Sequence, residues 1–193
     1  LCTIPIIASL SCYTDSERMR FAAEIEKAGA DALELNMMTI RTSKDYCDGE
    51  LEQSHIEILR HVRQTVRIPV IVKLGANISN PVALADRLRA NGADAVVLFN
   101  RLYPTDIDID KMEYTMSHPF TTAAELSNSL RWAGLVSAAV PQLPVAVSGG
   151  VHAWQDVVKS ILAGASAVEV SSVIYGCGKE WIAPAVAALE KWQ

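Results

Sequence analysis

Five apolar runs in this 193-residue chain end in, or enclose, residues able to bind or react. ALELN over 32–36 closes on Asn36, PVIVKL over 69–74 encloses Lys73, and AVVLFN over 95–100 closes on Asn100. PVAVS over 144–148 runs into Ser148-Gly149-Gly150, and AVEVS over 167–171 ends in Ser171-Ser172. An ammonium inside an apolar strand must reach a polar site or bear a large desolvation cost. Lys73 therefore reads as a cation facing a bound anion or a substrate, the alternative being an ion pair with Glu34 of the neighbouring run. Two glycines after Ser148 let backbone approach a ligand, and a helix opening near Ala153 offers N–H donors suited to phosphate. A plain tight turn is the other reading of Gly149-Gly150. Asn36 and Asn100 carry both donors and acceptors for a polar planar ligand, or else cap backbone at strand ends. His152 reads as a helix opener, and Trp132, Trp154, Trp181 and Trp192 as outer-layer packing. Cys177 has no His or acid beside it, so its sequence gives no support for a nucleophile.

Positioning these residues requires a regular scaffold, and a repeated joint supplies it. Ala28–Ala32, Asn91–Ala95 and Ala163–Ala167 share one small-Gly-Ala pattern, each after a helix-like segment and before an apolar run. Gly in the left-handed conformation stops a helix, and the small residues turn into a strand. Six strands follow: Pro5–Ser9, Ala32–Asn36, Pro69–Leu74, Ala95–Asn100, Pro144–Ser148 and Ala167–Ser171, mostly near-continuous apolar runs as in parallel sheets. Thr14 with Glu17, and Asn80 with Pro81, mark helix starts; Ile56, Leu59, Val62 and Val66 form an apolar stripe. Further helices are expected over Ser127–Ala139, Ala153–Ala163 and Glu180–Lys191. The long connection after Asn100 has an alternation at Ile107–Asp110 and a run at Met112–Thr115, which together predict a small β excursion over the active face. The fold class is α/β: one domain over 1–193, about six parallel βα units, two short of a (β/α)₈ barrel. In such a barrel chemistry sits at the C-terminal strand ends, and phosphate sites often follow the last two strands. That is where Gly149-Gly150 and Ser171-Ser172 fall.

Composition narrows the function classes. Half of the residues are apolar, and the net charge is −5 from 17 Lys plus Arg against 22 Asp plus Glu. No basic stretch suits nucleic acid, and no apolar run approaches the length of about 20 residues that spans a bilayer. Cys2, Cys12, Cys47 and Cys177 lie far apart and, with the four histidines, form no metal-ligand cluster. Reduced thiols in a cytoplasmic protein are the simplest expectation, with no metal.

On Ile6–Leu10, Ala28–Asn36, Pro69–Leu74, Ser148–Val151 and Ala163–Ser172, in that order and spacing, the chain resembles the soluble class of the dihydroorotate dehydrogenase family. The resemblance covers essentially all 193 residues and begins about a third of the way into a typical member. It implies a (β/α)₈ barrel holding FMN and oxidising a dihydropyrimidine-like substrate by hydride transfer to flavin, in pyrimidine biosynthesis, with a homodimer suggested. Carried over by position, it assigns Lys73 to the flavin ring and Ser148, Gly149, Gly150, Ser171 and Ser172 to the cofactor. Ser171-Ser172 stands where the family usually has Gly-Thr. Asn36 and Asn100 match asparagines that bind the pyrimidine or the flavin edge. One departure is marked: where the family shows Leu-Ser-Cys-Pro-Asn, this chain has Met37-Met38-Thr39-Ile40-Arg41. The base position is then Thr39, with Cys47 of the same loop as its rival, and a substrate-binding Asn becomes Arg41. Two other functions remain open: a non-redox phosphate-site barrel using Lys73 as electrophile or Schiff-base former, and a flavin-binding paralogue without catalysis.

The chain opens with Leu at the edge of a strand, so its N-terminal part is expected to be missing, together with a second flavin-binding lysine implied by the resemblance. An open barrel follows, binding FMN weakly and turning nothing over by itself. A backbone ladder joining the first and last strands would instead make a smaller closed barrel.

Overall fold

The computed structural model describes residues 3–11 and 15–192. Six parallel strands form one sheet: β1 (Ile7–Leu10), β2 (Ala32–Met37), β3 (Val70–Gly75), β4 (Ala95–Asn100), β7 (Val145–Val147) and β8 (Ala167–Val168), adjacent in that order. Between β4 and β7 the antiparallel hairpin β5 (Thr105–Asp108) and β6 (Glu113–Met116) forms the expected excursion. The helices are α1 (Asp15–Lys27), α2 (Glu50–Thr65), α3 (Pro81–Ala90), α4 (Leu126–Ala139), α5 (Trp154–Leu162), α6 (Ser172–Cys177) and α7 (Ile182–Trp192). The sheet curls into part of a barrel, and no ladder joins β1 to β8 among the described residues. The fold is an incomplete (β/α)₈ barrel.

The repeated joint works as its residue types require. Gly29, Gly92 and Gly164 have φ of 88°, 98° and 101°, and each ends a helix one turn before a strand. At α3 the Asn80 side chain accepts the N–H of Ala83 at 3.1 Å, with Pro81 in the first turn. Thr14, the proposed cap of α1, lies outside the described residues, as do Cys2 and Cys12.

Alternation along the strands divides core from site. Leu33, Leu35, Val70, Val72, Leu74, Val96, Leu98, Val145 and Val147 are buried in one cluster with Leu59 and Val62 of α2 and Leu84 and Leu88 of α3. Each such side chain contributes about 1.5–3 kcal/mol by leaving water. The intervening residues of β2 and β3, Glu34, Asn36, Ile71 and Lys73, belong to the opposite, concave face. In-register pairing then sets Asn36 beside Lys73 and Ser9 beside Glu34. The concave face is mixed: Ile71 and Val97 keep the runs apolar there, while Glu34, Asn36 and Lys73 bring polar groups towards the strand ends. His55 of α2 is buried, its ring nitrogens 2.7 Å from the Leu51 carbonyl and 2.9 Å from that of Met37, which fastens the helix to the end of β2.

Candidate active site

The C-terminal strand ends enclose a cavity of about 360 Å³, within the usual range for small-ligand sites. Asn36, Lys73, Asn100, Ser148, Gly149, Gly150, Ser171 and Ser172 all line it. One local cause serves all of them: parallel strands in register bring their last residues to one rim.

Asn100 Nδ2 donates to Asn36 Oδ1 at 2.5 Å, joining β4 to β2 across β3. The pair retains the Asn36 amide NH₂ and the Asn100 carbonyl for a ligand. Lys73 Nζ donates to Glu169 Oε2 at 2.5 Å and lies 3.7 Å from Glu34 Oε1. Glu34 in turn accepts the Ser9 hydroxyl at 2.7 Å. Glu34 was foreseeable as a partner of Lys73; Glu169, the nearer one, was not, because 96 residues separate the pair. Its one signal was position: Ala167, Glu169 and Ser171 share a face by strand alternation. Glu169 N–H donates to the Val147 carbonyl at 2.9 Å, so the ladder continues past β8 and fixes the carboxylate at the rim.

The two carboxyls titrate apart. Burial pushes Glu34 up to about 7, helped by the neighbouring Glu169 and opposed by Ser9 and Lys73. Burial also pulls Glu169 upward, but hydrogen bonding with Glu34 and the Lys73 charge hold it below the ordinary carboxylate range, with the Ser148 hydroxyl assisting. Near neutral pH Glu34 therefore holds a proton more readily than Glu169, which meets the Lys73 ammonium as a carboxylate.

The other end of the cavity is backbone-rich. Gly149 and Gly150 have φ of 85° and 77°. A Cβ on Gly149 would meet nothing nearer than 3.9 Å, whereas one on Gly150 would fall 2.3 Å from Leu126 N. Asp156 of α5 accepts the N–H groups of His152 at 3.1 Å and Ala153 at 3.0 Å, fixing the chain just after the glycines. His152 therefore does open the helix, through its backbone, while its ring nitrogen lies 3.2 Å from Thr121 Oγ1. Ser172 Oγ accepts from Thr121 N at 3.0 Å and Thr121 Oγ1 at 2.9 Å. This contact draws the segment after the hairpin over the cavity, where Tyr103, Pro119 and Thr121 join the lining. Arg101 secures the same segment, donating through Nε to Glu125 at 2.8 Å and through Nη1 to the His118 carbonyl at 2.8 Å. Sequence reasoning missed Arg101 and Thr121, which lie in irregular chain with no periodicity to mark them.

Thr39 stands apart from the cavity. It is exposed, its carbonyl accepts from Asn77 Nδ2 at 2.9 Å, and only its neighbour Met38 joins the lining. Cys47 and Arg41 are exposed on the same loop. Among the described residues no group of three His, Cys, Asp or Glu could hold a metal, and no helix is long and apolar enough to cross a membrane.

Comparison with known proteins identifies the family. The family model described as dihydroorotate dehydrogenase matches residues 2–191. The catalytic subunit of dihydroorotate dehydrogenase B (NAD(+)) from Anoxybacillus flavithermus is 32% identical over 174 residues, covering 88% of this chain and 55% of the relative. The corresponding subunit from Thermoplasma volcanium is 29% identical over 179 residues, covering 91% of this chain and 58% of the relative. Dihydroorotate dehydrogenase A (fumarate) from Lactobacillus helveticus is 29% identical over 174 residues, with 88% and 56% covered. The chain thus spans a little over half the length of these relatives, and across that span it belongs to the dihydroorotate dehydrogenase family.

Proposed function

We propose that this chain holds FMN and serves an oxidoreductase of the dihydroorotate dehydrogenase type, acting on a dihydropyrimidine-like small molecule in pyrimidine biosynthesis. The observation that carries this reading is the convergence of Asn36, Lys73, Asn100, Gly149-Gly150 and Ser171-Ser172 on one cavity. Their chemistry suits the cofactor. The space beside Gly149 leaves its backbone accessible to a phosphate, with the Ser171 and Ser172 hydroxyls nearby. The asparagine pair and Lys73 suit the polar edge of a planar ring. When bound, the flavin would accept the hydride.

The chain's own residues have separate tasks. Asn36 and Asn100 orient the substrate or ring edge through the amide groups left after their mutual bond. Lys73 places positive charge where negative charge develops. Ser148, Gly149, Gly150, Ser171 and Ser172 anchor the cofactor. Thr39 is the residue we assign to proton removal, since it directly follows Met38 of the lining, while Cys47 lies eight residues further along the exposed loop. A threonine hydroxyl needs a proton relay and closure of that loop to act as a base.

In the full-length protein Lys73→Ala should slow substrate-driven flavin reduction at least a hundredfold, as loss of a preorganised charge does. Stopped-flow reduction at full rate would remove Lys73 from the mechanism. Thr39→Val should lose turnover while Cys47→Ala keeps it; the reverse pattern would transfer the base role to Cys47. Borohydride trapping of a substrate on Lys73, in a protein that carries no flavin, would favour a Schiff-base barrel instead. The ion pair to Glu169 speaks against that chemistry, since it engages the nitrogen a Schiff base would use.

A further inference from the structure

Lys73 comes to the cavity with its charge already matched. Its Nζ lies 2.5 Å from Glu169 Oε2, with the Lys73 side chain 18% and the Glu169 side chain 32% exposed. Glu169 itself lines the cavity, so the carboxylate stands beside the ligand space and not behind it. Glu34, hydrogen-bonded to Ser9, backs the pair from within the barrel at 3.7 Å. The other cation on the lining, Arg101, is taken up by Glu125 at 2.8 Å. We propose that Glu169 is a positioning residue that holds Lys73 and offsets its charge, so that the ring end of the cavity meets its ligand as an electrically balanced surface.

This inference rests on the FMN reading above and deepens it. A lone ammonium beside a flavin ring stabilises the negative charge that appears when an electron pair enters the ring. An ammonium in contact with a carboxylate acts as a dipole, whose field falls off faster than that of a single charge. Glu169 should therefore lower the affinity of the oxidised ring for electron pairs, while Lys73 keeps its geometry.

Sulfite reads this without substrate or turnover. Its sulfur lone pair forms a bond to flavin N5, and the displaced electron pair settles as negative charge on the N1–C2 carbonyl edge, with no proton required. The test is sulfite titration of the FMN-loaded full-length protein, followed by bleaching of the flavin absorption. Glu169→Gln should tighten sulfite binding at least tenfold and raise the two-electron potential in step, where tenfold corresponds to about 30 mV. Glu169→Asp, which retracts the charge by one methylene, should tighten it two- to threefold, and this variant decides the question if Glu169→Gln does not fold. In a Lys73→Gln background Glu169→Gln should have a clearly smaller effect, because the part that acts by holding Lys73 is lost there and only the carboxylate's own field remains. Unchanged sulfite affinity in Glu169→Gln, or an equal change with Lys73 absent, would overturn the proposal while leaving the FMN reading intact. A full-length protein that binds no flavin would overturn both.

Discussion

Glu34 is 6% exposed, and its carboxyl is pushed up to about 7 from an ordinary 4.5, chiefly by burial. The folded chain therefore holds this proton more tightly than the unfolded chain does between those two values. The stability it contributes is complete below the unfolded value and is lost as pH rises through the folded one. Glu34→Gln keeps the shape without the ionisation. The urea midpoint of the parent should fall relative to that of Glu34→Gln between about pH 4 and about pH 8, with most of the divergence before neutrality. Parallel midpoints across that window would show that Glu34 ionises as an exposed carboxyl. At this scale the sequence was legible where a residue type conflicts with its neighbours: Lys73 and the two asparagines interrupt apolar runs, and all three reach the cavity. Glu169 was illegible for the opposite reason. Its run contains an acid at a position that alternation allows, and only the folded sheet shows that a lysine 96 residues away requires it.

Elements were easier to read than contacts, because each joint carries its own physics. The three small-Gly-Ala joints foretold three helix ends, and all three glycines take the left-handed conformation. Alternation at Ile107–Asp110 foretold the hairpin, although its pairing runs Thr105↔Met116 to Asp108↔Glu113. The short α6 went unseen, since six residues are fewer than two turns and show no period. Its first residue, Ser172, carries the bond to Thr121 that draws the hairpin segment inward. The Gly149-Gly150 turn likewise has two roles that its composition cannot separate. Gly149 leaves open space, while Gly150 is pressed against the start of α4, where a Cβ would lie 2.3 Å from backbone nitrogen. Gly150→Ala should therefore cost about 3 kcal/mol, combining the left-handed penalty with overpacking. Gly29→Ala, also left-handed but with nothing within 4 Å, should cost only about 1 kcal/mol. Equal thermal shifts in the two variants would mean that α4 yields readily and does not brace the turn.

At the scale of the whole molecule, the surface area is 11673 Å², against roughly 9,000 Å² for a compact monomer of this mass. The excess has a visible source. Among the described residues β1 pairs only with β2 and β8 only with β7, so both edges of the curled sheet keep backbone groups unpaired. Between them the concave face opens into a second cavity of about 540 Å³, with Ile7, Ile71, Val97 and Ala146 on its walls. The β1 edge carries no charge to blunt it: it reads IASL, with Ile7 55% exposed, whereas on the β8 side the first charge is Glu169 at the rim. Unpaired apolar edges of this kind template pairing with another chain. The 193-residue chain by itself should bind a hydrophobic dye, take up FMN weakly, and show a sedimentation coefficient that rises with concentration. Ile7→Lys places a charge on the β1 edge and should suppress that association without lowering the helical signal, since Ile7 adds nothing to the helix-side core. A monomer at every concentration, binding FMN as tightly as the full-length protein, would mean that the open edges are closed in solution by some arrangement other than this sheet.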